Sequence, residues 1–254
     1  VFERTTRKVV LTADGREFLP SALAVQRQVQ QAMITAAEVR DRSVEVVRVA
    51  APLSVAAVIL PPLIAEHRAR KPRTTVRILD TGVEWLADRV ATGEADLALG
   101  PDRVVGPDVT CTALYPSPWV LWCTPQHPLA AKKSVTWTEL KGTSVFAAGR
   151  DHEHSVAPRL TGVSGAELME TVHVVGNVTT ALGLAAANLG VTFSPSYIGT
   201  LAKSFGLVMR PITEPKVVRH MSLYAPARRA LSEAVGLFRA HIEKKLAQSV
   251  SPSK

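Results

Sequence analysis

The chain has 254 residues, 46% of them hydrophobic and 20% charged, with a mean hydropathy of +0.12. That is enough to bury a sizeable core in one to three domains. No apolar run is long enough to span a bilayer and no signal-peptide pattern opens the sequence, so a cytoplasmic protein is expected and membrane or exported classes are disfavoured.

The net charge of +8 is unevenly spread: residues 1–48 hold eight Lys/Arg against six acids, residues 49–202 twelve against thirteen, and residues 203–254 ten against three. Basicity therefore collects at the C-terminal end. A solvated basic helix face explains it more simply than a DNA footprint, because charge alone does not read sequence. Cys111 and Cys123 have neither metal-site spacing nor a disulfide framework, and both sit in apolar, strand-like surroundings as inert thiols.

The first forty residues organise the rest. Phe2 to Thr12 mixes Arg, Lys and Thr with β-branched residues, predicting one hairpin arm before the helix formers that follow Ala13-Asp14-Gly15. Phe18, Ala22, Val25, Val29, Ala32, Ala36 and Val39 then recur alternately four and three apart, the a/d seam of a coiled coil. Such a seam predicts pairing with a second copy of the helix.

Phe2-Glu3-Arg4, Arg7 and Leu11-Thr12-x-x-Gly15 ahead of a long helix resemble the wing and linker helix of LysR-type bacterial transcriptional regulators. The resemblance implies a wing remnant over 1–13, with Arg4, Arg7 and Lys8 touching DNA, a dimerisation linker over 14–43, and a helix-turn-helix head expected before Val1. It also implies homotetramers, built from the linker contact and side-by-side pairing of regulatory domains, acting on promoter DNA.

After the polar hinge Asp41-Arg42-Ser43, strands and helices alternate. Strands are predicted over 46–51, 75–80 and 95–100, with helices over 54–70 and 83–92, a βαβαβ order that demands a parallel sheet. Residues 108–123 read as two strand runs broken at Tyr115-Pro116-Ser117-Pro118, followed by a turn in which His127 acts as a cap. Further strands are predicted over 143–148, 170–175, 190–195 and 217–224, and helices over 177–188, 197–205 and 231–247. Gly93 to Gly100 and Asn177 to Pro195 carry the resemblance through the chain. The fold expected is α/β: two Rossmann-like subdomains in a periplasmic-binding-protein type II clamshell, with regulatory subdomain I at 44–118 and 219–250 and subdomain II at 119–218.

Open parallel sheets bind ligands beyond the carboxyl ends of their strands, where helix N-termini favour an anion. That rule selects Pro52, Leu53 and Ser54, then Thr81, Gly82 and Val83, then Gly100 and Pro101, then Ala148 and Gly149, and Asn177. Ser54 is the leading candidate; it resembles a hydroxyl that binds the effector's acidic group in the family, and it reads equally as a helix cap. Val83 stands where many relatives carry a second hydroxyl, which favours a more apolar effector, with Thr81 as the substitute.

Asn177 and Thr192 are as well placed to cap their own backbone as to touch a ligand. Phe146 and Phe193 read as an apolar wall or as core, and Arg150 as a carboxylate partner or an exposed loop residue. Asp151-His152-Glu153-His154 lacks a further ligand-rich segment and reads as a solvated loop. There is no Gly-x-Gly-x-x-Gly, P-loop, Gly-x-Ser-x-Gly or His-Glu-x-x-His. The expectation is a regulator without metal or cofactor, binding a small carboxylate; the rival is a periplasmic-type solute-binding protein.

Overall fold

The computed structural model describes residues 1–5, 8–40, 45–149, 151–160 and 172–248. The basic ribbon is a complete antiparallel hairpin, β1 (Phe2–Thr5) against β2 (Lys8–Leu11), where the sequence led us to expect a single arm. Thr12 then starts α1 (Ala13–Arg40): its Oγ1 accepts from the Gly15 N–H at 3.0 Å, satisfying a donor that the first helical turn leaves open. The seam residues Phe18, Val25 and Val29 of this helix are 57%, 64% and 56% exposed. The side chains of Ala32, Ala36 and Val39, and all of Arg7 and of the hinge 41–43, lie outside the described residues.

β3 (Glu45–Ala51) runs parallel to β4 (Thr74–Asp80) and to β5 (Leu97–Pro101), with Val49 opposite both Ile78 and Leu97. The helix expected over 54–70 is two, α2 (Leu53–Val58) and α3 (Leu60–Arg70). Pro61 and Pro62 cannot donate the backbone bonds that would carry one helix through, but fit the first turn of a new one. The stretch expected as helix 83–92 opens with a tight 3₁₀ turn at Val83–Trp85 before α4 (Leu86–Ala91).

β6 (Val109–Cys123) is one strand of 15 residues, not two runs. It pairs antiparallel with β12 (Val218–Pro226), with Pro116 opposite His220 and Pro118 opposite Val218; a register shift between Met221 and Ser222 leaves Leu114 as the extra residue between Ala113 and Tyr115. β12 also pairs antiparallel with β5. From Trp119 onward β6 changes partner, lying antiparallel to β10 (Val191–Pro195). The chain thus crosses from a first lobe to a second at Pro118/Trp119 and returns beside it along β12.

In the second lobe β10 continues in parallel to β8 (Val145–Ala148), which pairs with β9 (His173–Val175). Around them lie α5 (Asp151–Ser155), α6 (Ala157–Leu160), α7 (Val178–Ala186) and α8 (Gly199–Ser204). Two strands not expected from sequence, β7 (Val135–Thr136) and β11 (Val208–Thr213), pair with each other, and β11 also pairs with β6. The last helix, α9 (Glu233–Gln248), returns to the first lobe and seals Phe238 and Ile242 against Val47, Val49 and Leu99. The second lobe has its own core around Leu121, Trp137, Val145 and Phe193.

Polar bonds cluster at the crossing. Arg219 on β12, 9% exposed, donates from Nε to Asp102 Oδ1 of the first lobe at 2.9 Å and also bonds Ser155 Oγ on α5 of the second. Asp102 Oδ1 accepts the His220 N–H at 2.9 Å. Burial works against the Asp102 carboxylate, but the Arg219 and His220 donors hold its pKa below the usual carboxylate range. Ser117 Oγ accepts the Tyr197 N–H at 3.1 Å.

Candidate functional site

A cavity of about 780 Å³ opens between the lobes, the volume of a small-molecule site. Its first-lobe wall comes from the loop after β3 (Pro52, Leu53, Ser54), the end of β4 and the turn beyond it (Asp80 to Glu84), and the end of β5 with its loop (Pro101, Arg103). The second-lobe wall comes from Ala148 and Gly149 after β8, Gly176 to Val178 at the start of α7, and Phe193 to Pro195 on β10. Trp119 at the crossing, with Tyr197 and Ile198, completes it.

Ser54 is 7% exposed and lines this cavity. It is not the cap of α2: Pro52 holds that position with extended backbone, and Ser54 lies one residue inside the helix. Its hydroxyl makes no hydrogen bond among the described residues and is free for a ligand. Asn177 does hold the cap position of α7, yet its side chain makes no cap bond. Thr81 faces the cavity, but its Oγ1 already accepts from Arg89 Nε at 3.0 Å, and Arg89 is ion-paired with Glu94. Gly149 stands at φ +62°, where its missing side chain makes the turn after β8 inexpensive.

Three nominated residues are not brought to the cavity. Thr192 is buried, and its Oγ1 donates to the Phe146 carbonyl at 2.8 Å, so its hydroxyl serves the sheet. Phe146 lies two residues below the open end of β8, with its ring tilted against that of His173, centroids 5.7 Å apart. Gly100 is pressed between elements, where a Cβ would sit 2.5 Å from Leu86 Cδ1. Arg150 lies outside the described residues.

Asp80, Glu84, Arg103, Trp119 and Tyr197 are lining residues that the sequence reading passed over. Asp80 and Glu84 flank the nominated loop Thr81-Gly82-Val83; nothing in the sequence pattern marked the others. Trp119 is 4% exposed, and its Nε1 has no hydrogen-bond partner among the described residues. It lies against Phe193 with centroids 5.4 Å apart, and Trp137 and His152 meet the same phenyl ring edge-on.

Elsewhere, His127 Nδ1 accepts the Leu129 N–H at 3.2 Å as a turn cap. Burial pushes the Cys123 thiol up, away from the thiolate. Among the described residues no group of three His, Cys, Asp or Glu side chains is placed to hold a metal, and no helix is long and apolar enough to cross a membrane.

A family model described as LysR substrate binding domain matches residues 40–247. The uncharacterized HTH-type transcriptional regulator YbhD of Escherichia coli strain K12 is 27% identical over 94% of this chain and 75% of its own length. Full-length BenM, solved as a point mutant, superposes with a TM-score of 0.69 at 19% identity, covering 100% of this chain and 85% of that one. The BenM effector binding domain with its effector benzoate gives a TM-score of 0.69 at 19% identity, covering 83% and 96% respectively. The two lobes are therefore those of a type II periplasmic-binding-protein fold, and the chain belongs to the LysR family as a transcriptional regulator with an effector-binding domain.

Proposed function

We propose that the interlobe cavity is the effector site, that a small organic anion occupies it, and that the change in lobe arrangement passes through α1 to paired DNA-binding heads. The observation that carries the reading is the Ser54 hydroxyl, buried in the cavity wall and unspent on the protein. A charged acceptor there would form a bond stronger than a neutral pair. That BenM takes benzoate on the same fold supports an aromatic acid of similar size. The effector acts by binding one arrangement of the lobes more tightly than the other; equal affinity for both would shift nothing.

In this reading residues 44–118 and 219–250 form subdomain I and residues 119–218 subdomain II. The linker, 14–43, pairs with its counterpart in a second copy, and regulatory domains pair side by side through the Ser54–Arg70 region to complete a tetramer. The hairpin is the wing, with Arg4, Arg7 and Lys8 beside promoter phosphate, and the protein works in the cytoplasm.

Thermal-shift screening of small carboxylates tests the site. At least one should stabilise the wild type, and its affinity should fall roughly ten- to a hundredfold in Ser54→Ala, since a hydrogen bond to a charged group contributes about 1.5–3 kcal/mol. A stabilising acid indifferent to that change would move the site elsewhere.

A further inference from the structure

The first-lobe wall of the cavity presents two carboxylates. Asp80 closes β4 and Glu84 lies in the 3₁₀ turn that follows, and both line the cavity. Neither makes an ion pair or hydrogen bond among the described residues. The Glu84 carboxylate is folded back onto the turn, since a Cβ at Gly82 would stand 2.4 Å from its Oε1. Gly82 is itself a wall residue. The residues between the two acids, Thr81, Gly82 and Val83, bring no charge. Arg89 is engaged with Glu94 and Thr81, and among the described residues Arg103 is the one basic side chain of the lining.

The wall therefore carries two negative charges against one positive. A ligand bearing only carboxylates would meet repulsion there, felt through water and strengthened where the site excludes it. Across the cavity the chemistry changes. Trp119, 4% exposed, lines that side, and its indole N–H has no hydrogen-bond partner among the described residues. With Phe193 beside it, that side is narrow and apolar, while Ser54, on the same first-lobe wall as the two acids, offers a hydroxyl.

We infer that the effector is a zwitterion of amino-acid type: an apolar, planar body against Trp119 and Phe193, a carboxylate taken up on the Ser54 side, and a cationic amine held by Asp80 and Glu84. The inference rests on the cavity being the effector site; it keeps the carboxylate of that reading at Ser54 and replaces the simple anion by a ligand that also carries a positive charge, toward Asp80 and Glu84 of the same wall. Asp80 and Glu84 are then specificity determinants. They favour the aminated ligand by attraction and reject its deaminated counterpart by repulsion, so both halves of the discrimination come from the same two side chains.

The test uses matched pairs on the purified chain. Thermal-shift measurements take each proteinogenic amino acid beside its deaminated acid, and calorimetry follows L-phenylalanine, 3-phenylpropanoate and 2-phenylethylamine together with any pair that scores. At least one amino acid should bind ten times or more tightly than its deaminated acid. Asp80→Asn with Glu84→Gln should weaken that amino acid at least tenfold and narrow or reverse the preference, leaving the melting temperature of the unliganded protein unchanged because both side chains are exposed and unpaired.

A deaminated acid that binds wild type as well as its amino acid overturns the inference, as does a panel in which no amino acid binds. If that acid is weakened by Ser54→Ala, the effector cleft itself still stands. An amino-acid preference that survives in the double variant also overturns the inference, because the amine is then read elsewhere. Ligands indifferent to all three substitutions defeat the inference and the cleft reading together.

Discussion

Two helices of this chain carry an apolar stripe of similar period, and their stripes are treated differently. α9 places Val235, Phe238 and Ile242 at 3%, 0% and 0% exposure in the first-lobe core, whereas α1 leaves Phe18, Val25 and Val29 at 57%, 64% and 56%. Periodicity specifies a face that must be covered; it does not say by what. For α9 the cover is its own sheet. For α1 the described residues of the same chain supply little beyond a bond from Gln28 Nε2 to the Thr92 carbonyl at 3.1 Å, and the cover proposed for the stripe is a second copy.

The contrast can be broken at either helix. Phe238→Ala empties a sealed site and should cost about 3–5 kcal/mol of folding stability, read as a large fall in the denaturant midpoint. Val25→Asp with Val29→Asp should do the opposite: less than about 1 kcal/mol in the folding of one chain, as befits exposed positions, but loss of self-association in light scattering. An unchanged particle mass would remove α1 as the pairing element.

Acid should find α9 before α1. His67 of α3 lies edge-on to Phe238 with centroids 4.9 Å apart, and His241 Nε2 bonds the Leu63 carbonyl at 3.2 Å. Burial lowers both pKa values below the ordinary 6.5, with the His241 charge and Lys71 adding to the effect on His67, and with Arg70 and Lys245 opposing Glu66 around His241. The unfolded chain therefore takes up protons below about pH 6.5 that the folded chain refuses. Stability should be full above that pH and fall as acid is added. His241→Asn should flatten the decline in a pH series of melts.

The smallest effect belongs to the outer face of α9, where Arg239 and Glu243 form an i,i+4 pair at 2.9 Å in partial exposure. Glu243→Gln should change stability by about 0.3–0.5 kcal/mol, and less in high salt.

Much of the architecture was legible because burial on both faces writes strands such as Val46 to Ala51 as continuous apolar runs, and because Gly and Pro punctuate them. What failed was pairing at a distance. Nothing local marks β7 or β11, which are strands through their partners, and Pro116 and Pro118 read as breaks because the sequence does not show the partner strand β12 that takes both in register.

At the cavity, the rule about strand ends located the loops but not the direction of the side chains. Thr192 and Phe193 are neighbours on β10, so the pleat sends them to opposite faces, and nominating both could bring at most one to the cavity. Trp119 escaped notice because it belongs to a crossing between lobes, a place that exists only in three dimensions.

That crossing has a mechanical consequence. The two strands that join the lobes run side by side, and Arg219 and Ser117 fasten both lobes beside them. Bonds close to an axis of rotation change little in length when the halves turn, while points far from it travel furthest. In the proposed function the junction is the fulcrum of a lever, so a small displacement beside a ligand wedged near it, driven by a proportionally larger force, becomes a long displacement at points far from the axis.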